Sequence, residues 1–217
     1  MAAAADLYPL RDELSQAIAQ TAGVTVRFTF GGSGILARQI ENGAPYDVYL
    51  SANESFVKDL ESRGKLVSGS AAVYGYGRLG LWSKSGKIKN LNDLVTQRIP
   101  HLALPNPAHA PYGAAARDML RSLGLWQALE ARVVYGENVE QALQFAESGN
   151  ADACITAWSL LRLKGAVLLG DSFHPPIRQV GAVVASSAQR EAAARVLGFL
   201  TSSAGRDLLV RYGFSVP

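Results

Sequence analysis

Cysteine and histidine are scarce in this chain of 217 residues: one cysteine, Cys154, and three widely separated histidines, His101, His109 and His174. A lone cysteine cannot close an internal disulfide, and three scattered imidazoles with one thiol do not make a zinc ligand set. Charge is sparse too. Only 18% of the residues are Asp, Glu, Lys or Arg, the net charge is +3, and no run of five basic residues occurs, so a nucleic-acid partner is not expected. No segment approaches the roughly 18 to 20 consecutive apolar residues of a membrane-spanning helix, and no polar low-complexity tract is long enough to stay unfolded for want of apolar surface. The first residues, Met1-Ala2-Ala3-Ala4-Ala5-Asp6, have neither the basic n-region nor the apolar h-region of a secretory signal. A cytosolic protein and an exported protein shorn of its signal both have this composition.

What remains is a folded globular chain, 48% apolar, long enough for one large domain or two smaller lobes. Leu7, Leu10, Leu14 and Ile18 recur at helical spacing up to Gly23, and Val24, Val26, Phe28 and Phe30 alternate as in a strand. Gly31-Gly32-Ser33-Gly34 opens a second helix that ends at Asn42-Gly43. A strand over Tyr46 to Leu50 and a helix from about Asn53 to Arg63 continue the alternation, and Tyr74 to Trp82 reads as one longer strand. Beyond a weak helix after Gly86, the pattern repeats: strand His101 to Leu104, helix Tyr112 to Leu123, strand Arg132 to Tyr135, helix Val139 to Ser148, strand Ala151 to Thr156. A β-branched strand, Ile177 to Ala185, and two helices, about Ala188 to Leu200 and Ala204 to Arg211, close the chain. Two α/β units with mostly parallel sheets covered by helices on both faces are expected, the helical tail packing back on the first.

Three helix starts could hold an anion, because the first turn of a helix presents N–H groups and the positive end of the dipole. They are Gly32-Ser33-Gly34, where Ser33 reads either as an N-cap or as an additional donor; Ala110-Pro111-Tyr112-Gly113, with proline in the first turn; and Glu137-Asn138-Val139-Glu140-Gln141, where Asn138 and Gln141 are spaced as a capping box. Each alone is ordinary helix punctuation. No phosphate loop is present, since Ile35 and Leu36 follow Gly34 where Lys-Ser/Thr is required. No Gly-x-Ser-x-Gly elbow occurs either, no histidine has an evident orienting acid, and Cys154 between Ala153 and Ile155 reads as a small buried hydrophobe, so catalysis is not expected.

Taken together, these loops resemble a known family. Gly32-Ser33-Gly34 with Asn42-Gly43-Ala44-Pro45-Tyr46-Asp47 and Leu50-Ser51-Ala52, then Tyr76-Gly77-Arg78-Leu79, Asn106-Pro107-Ala108-His109-Ala110-Pro111-Tyr112-Gly113, Gly136-Glu137-Asn138-Val139 and the closing Tyr212-Gly213-Phe214 are similar, in order and spacing, to the molybdate-binding proteins of bacterial molybdate ABC importers. The resemblance covers nearly the whole chain. It implies a two-lobed type II periplasmic-binding fold, with residues 1–80 and 181–217 in one lobe, 81–180 in the other, and the ligand cleft between them. The strands near Gly80 to Ser83 and Ile177 to Val180 would serve as its hinge.

The resemblance further implies a monomeric, non-catalytic protein, periplasmic once its signal is removed, that binds molybdate or tungstate and delivers it to a membrane permease, with no cofactor and no nucleic acid. Carried over to this chain, the oxyanion contacts are Ser33, and Tyr112 and Val139 through their backbone N–H groups. Ala5 stands where the family usually has a Ser or Thr hydroxyl, so that donor is lost. Asp6 beside it would repel an anion unless its side chain caps the following helix. The departure at Ala5 keeps open another oxyanion or a small organic acid as ligand, and the fold is also compatible with an enzyme or a sensor domain.

Overall fold

In the computed structural model, which describes all 217 residues, β1 (Ala2–Ala4) leads through a 3-10 turn (Ala5–Leu10) into α1 (Arg11–Ala22). Next come β2 (Thr29–Gly31), α2 (Ser33–Glu41), β3 (Val48–Ser51), α3 (Glu54–Ser62), β4 (Ala72–Gly77), β5 (Leu79–Trp82) and α4 (Asp93–Thr96). The middle of the chain holds β6 (Leu102–Pro105), α5 (Pro111–Ser122), α6 (Trp126–Leu129), β7 (Val133–Gly136), α7 (Val139–Ser148), β8 (Ala153–Ala157), α8 (Trp158–Leu161) and β9 (Val167–Leu168). β10 (Ile177–Val183), α9 (Arg190–Thr201) and α10 (Ser203–Arg211) complete it. Two compact units result: Met1–Tyr76 with Arg178–Pro217, and Gly77–Ile177.

The first unit is built on a sheet of order β2-β1-β3-β10-β4, in which β1 is parallel to β2 and β3 while β10 runs against β3. Successive strand residues face opposite sides, and the core divides accordingly. Ala3, Val48, Leu50 and Val183 pack with α1, α9 and α10, including the fully buried Leu14 and Ile18; Ala2, Tyr49, Val180 and Ala182 pack with α2 and α3 through Leu36, Ile40, Val57 and Leu60. Each fully buried aliphatic side chain contributes roughly 1.5–3 kcal/mol. The C-terminal helices thus belong to the first unit.

Two strands differ from their sequence patterns. The alternation over Val24 to Phe30 gives a strand only at Thr29–Gly31, because β1 offers three partners, Ala2 to Ala4; Val24, Val26 and Phe28 still pack on the core from outside the strand. The run Tyr74 to Trp82 is two strands, β4 in the first sheet and β5 in the second, separated at Arg78. The second sheet, of order β7-β6-β8-β5-β9, has β6 parallel to β7 and β8, and β5 antiparallel to β8 and β9. Both sheets are mixed: each has a parallel core of three strands, as the alternating pattern predicts, and takes in a strand that runs against it.

On one face of the second sheet, Ala142, Leu143 and Ala146 of α7 and Leu161 of α8 cluster with Ala103 and Cys154. Burial pushes the Cys154 thiol up from 9.0 to about 12; Glu147 adds to the shift, while Lys164 and a backbone hydrogen bond at Trp82 oppose it. The folded unit keeps a proton that the unfolded chain releases, so this contribution to stability is complete below pH 9.0 and is lost as pH rises toward about 12. Between about pH 8 and about pH 10 the parent is expected to lose roughly 1.4 kcal/mol through this thiol in urea unfolding. Cys154→Ala should lack that increment; an unchanged pH slope in the variant would reject the assignment.

Candidate functional site

In the first unit the register brings three strand ends together. Ala4 lies opposite Gly31, and Ala3 opposite Leu50, so the chain leaves β1, β2 and β3 at the same carboxyl edge of the sheet, the edge at which open α/β sheets bind ligands. Ala5 and Asp6 follow β1, Gly32 and Ser33 follow β2, and Ala52 follows β3.

Ser33 is the first residue of α2 and is 1% exposed. The N-cap is Gly32, and no side chain caps the helix. The cap reading of Ser33 is therefore replaced: its Oγ turns to β3 and accepts from the Ala52 N–H at 3.0 Å. The Ser33 carbonyl accepts from the Tyr49 hydroxyl at 2.7 Å. Ser51 Oγ lies 3.1 Å from the Tyr49 oxygen, accepts from the Asn53 N–H at 3.1 Å and donates to the Asn53 carbonyl at 2.9 Å. Burial holds the Tyr49 phenol well above its usual range, with Ser51 opposing, so it stays a proton donor. In this arrangement Ser33 Oγ accepts within the protein and keeps its own proton to donate. Ile35 and Leu36 give their N–H groups to the Gly32 carbonyl; those of Ser33 and Gly34, ahead of them, have no acceptor within the helix.

Ala5 is buried and begins the 3-10 turn, contributing a methyl where a hydroxyl would be a donor. Asp6, 1% exposed, does not cap the helix that follows: its Oδ2 accepts from Gln179 Nε2 at 2.7 Å, and Gln179 Oε1 accepts from the Tyr74 hydroxyl at 3.1 Å. Gln179 and Tyr74 are neighbours of the candidate site that the sequence does not single out, since a tyrosine or glutamine within a strand pattern reads as core or surface. Only the pairing of β3 with β10 brings them to this edge.

In the second unit, Pro105 of β6 lies opposite Gly136 of β7, which places the starts of α5 and α7 side by side at the carboxyl ends of two parallel strands. The turn before α5 is closed by Asn106, whose carbonyl accepts from His109 and Ala110 and whose Oδ1 accepts from Ala108. Pro111 opens the helix after Ala110 as N-cap, and Tyr112, buried, is its second residue. The start of α5 lies directly on the strand: a Cβ at Gly113 would sit 1.9 Å from the Pro105 carbonyl oxygen.

Val139 is the first residue of α7, capped by Asn138, whose Oδ1 accepts from Glu140 at 2.9 Å and Gln141 at 3.1 Å. Gln141 reaches past Asn138 to accept from the Glu137 N–H at 2.8 Å, one residue earlier than in a capping box. The cap thus takes the second and third N–H groups and not that of Val139. Its carbonyl is fixed by the buried Thr156 hydroxyl at 2.8 Å. Thr156→Val, nearly isosteric, should leave that carbonyl unmet and lower stability by about 1–3 kcal/mol; an unchanged urea midpoint would show that this bond does not anchor α7.

Each unit therefore offers neutral donors at helix starts. The first turns of α2 and α5 carry no acidic residue, and nowhere does a group of three or more His, Cys, Asp or Glu stand ready for a metal ion. The family profile described as bacterial extracellular solute-binding protein matches residues 1–215.

This chain belongs to that family.

Among relatives of this solute-binding protein, the molybdate-binding protein ModA of Rhodobacter capsulatus is 32% identical over 217 residues, covering 98% of this chain and 86% of its own. ModA of Azotobacter vinelandii is 33% identical over 216 residues, covering 96% and 85%. The solved periplasmic molybdate-binding protein of Azotobacter vinelandii matches the fold with a TM-score of 0.93 at 29% identity, over 100% of this chain and 98% of that one. The sulfate-binding protein SubI of Mycobacterium tuberculosis shares the fold, with a TM-score of 0.80 at 18% identity.

Proposed function

We propose that this solute-binding protein captures molybdate, or the nearly isosteric tungstate, in the periplasm and delivers it as a monomer to the membrane permease of an ABC importer, without catalysis. The observation that carries the reading is the set of uncharged donors: the Ser33 hydroxyl with the first N–H groups of α2 in one unit, and the starts of α5 and α7 at Tyr112 and Val139 in the other. A dianion is stable among neutral groups when aligned N–H dipoles and hydroxyls meet its oxygens, each such bond contributing about 1.5–3 kcal/mol. Relatives named molybdate-binding over nearly the full chain support the choice of anion. The methyl of Ala5 removes one such donor, so the affinity is set by the remaining ones.

Titration calorimetry with molybdate, tungstate, sulfate and phosphate tests the reading. Molybdate and tungstate should give saturating heats, with sulfate weaker because its shorter bonds leave some donors stretched. Absence of heat with all four at millimolar concentration would overturn it.

A further inference from the structure

Asp6 is a carboxylic acid 1% exposed at the carboxyl edge of the first sheet, where the starts of α2 and β10 converge. It is the residue after Ala5, and the pairing of Ala4 with Gly31 makes the chain exits Ala5-Asp6 and Gly32-Ser33 leave adjacent strands at the same end. Its hydrogen-bond partner Gln179 stands beside Ala52, because Val180 pairs with Ser51 in the antiparallel ladder. Ala52 is in turn the residue that donates to Ser33 Oγ. One buried polar edge thus holds both the hydroxyl offered to the anion and a group that becomes negative when it ionises.

Resting on the oxyanion reading above, we propose that Asp6 couples anion capture to proton uptake: it is ionised in the free protein and protonated when a dianion occupies the half-site. A dianion and a carboxylate buried at one edge repel strongly, since little water screens them, and a proton on Asp6 removes that repulsion while leaving the carbonyl oxygen to accept from Gln179 Nε2. The groups around Asp6 do not substitute for it as proton acceptors. Gln179 of β10 is neutral, and Tyr74 of β4 is a phenol raised well above its usual range by burial first and then by the charge of Asp6 and by Tyr49. Tyr49 of β3 is raised by its own burial. The first turn of α2 carries no acidic residue, and Arg178 of β10 is paired with Glu54. Asp6 is therefore the buried acid at this edge, whereas Glu54 at the start of α3 is partly exposed and paired with Arg178.

The consequence is linkage. Binding that takes up one proton weakens tenfold per pH unit above the carboxyl's pKa in the free protein. The test is calorimetric titration of the parent with molybdate between about pH 6 and about pH 9, in pairs of buffers that differ in ionisation enthalpy. Uptake approaching one proton per anion, with the dissociation constant rising toward tenfold per pH unit, is expected for the parent. Asp6→Asn, which keeps the shape and the Gln179 contact, should bind with neither. The Asp6→Asn comparison separates Asp6 from His109, next to the start of α5. Molybdate binding by the parent without proton uptake, or the same uptake in Asp6→Asn, overturns the proposal while leaving the oxyanion reading intact. No binding by either protein at any pH overturns both. If Asp6→Asn folds poorly, His109→Gln makes the same separation: proton uptake retained in that variant supports Asp6, and uptake lost with it overturns the proposal.

Discussion

Gly113→Ala should destabilise the second unit by more than about 3 kcal/mol, the upper part of the range for overpacking. The added methyl would meet the Pro105 carbonyl oxygen at 1.9 Å, its carbon at 2.6 Å and the Pro107 nitrogen at 3.0 Å. All three are backbone atoms of a strand end and a tight turn, so no side chain can swing away. Relief requires α5 to lift off β6, which carries the Tyr112 N–H away from the position it needs, and anion affinity in any folded fraction should fall more than about tenfold. Gly198, in the middle of α9, has nothing within 4 Å of its would-be Cβ, and Gly198→Ala should raise stability by about 0.5–1 kcal/mol. Urea unfolding of the two variants reads both signs; a Gly113→Ala protein as stable as the parent would mean that the helix start is not held against the strand.

The second large effect is expected of Ser33→Ala, and it has two parts. Loss of the hydroxyl donor should weaken molybdate binding by about 1.5–3 kcal/mol, roughly ten- to a hundredfold or slightly more. Separately, the buried Ala52 N–H loses its acceptor at 3.0 Å, which costs about 1–3 kcal/mol of folding stability. From the sequence alone, the second part would be no more than the loss of a helix cap, about 1 kcal/mol; the cap is Gly32, and what Ser33 holds is the link from α2 to the residue after β3. Calorimetry and urea unfolding measure the two parts independently. If Ser33→Ala bound molybdate as tightly as the parent, Ser33 would be a purely structural link and the anion would not be held at this helix start.

The elements most legible in the sequence are those whose signals are local. The helix Val139 to Ser148 is framed by Asn138 and Gly149, and the structure begins and ends it at the residues the pattern names. Asn53 caps α3 as its position suggests, accepting from the Ser55 N–H. Less legible is whatever depends on a partner far along the chain. The length of β2 is set by a three-residue neighbour rather than by its own alternation, and the run Tyr74 to Trp82 looks continuous because nothing at Arg78 marks the change of sheet. The candidate site follows the same division. Three helix starts are visible as turn chemistry, whereas the links of Tyr49 to Ser33 and of Gln179 to Asp6 span 16 and 173 residues and arise only on pairing.

That long span bears on how the chain is made. β10 lies between β3 and β4 in the first sheet, so an interior strand of that sheet is supplied by residues made after the whole of Gly77–Ile177. A ribosome or a translocation pore releasing the chain N-terminus first delivers the middle unit complete while the first still has a gap where β10 belongs. During that interval Asp6 waits for Gln179, and the half-site around Ser33 can be finished only when nearly all of the polypeptide has emerged. The order of emergence therefore separates the two candidate half-sites in time, and the first unit is the last to mature.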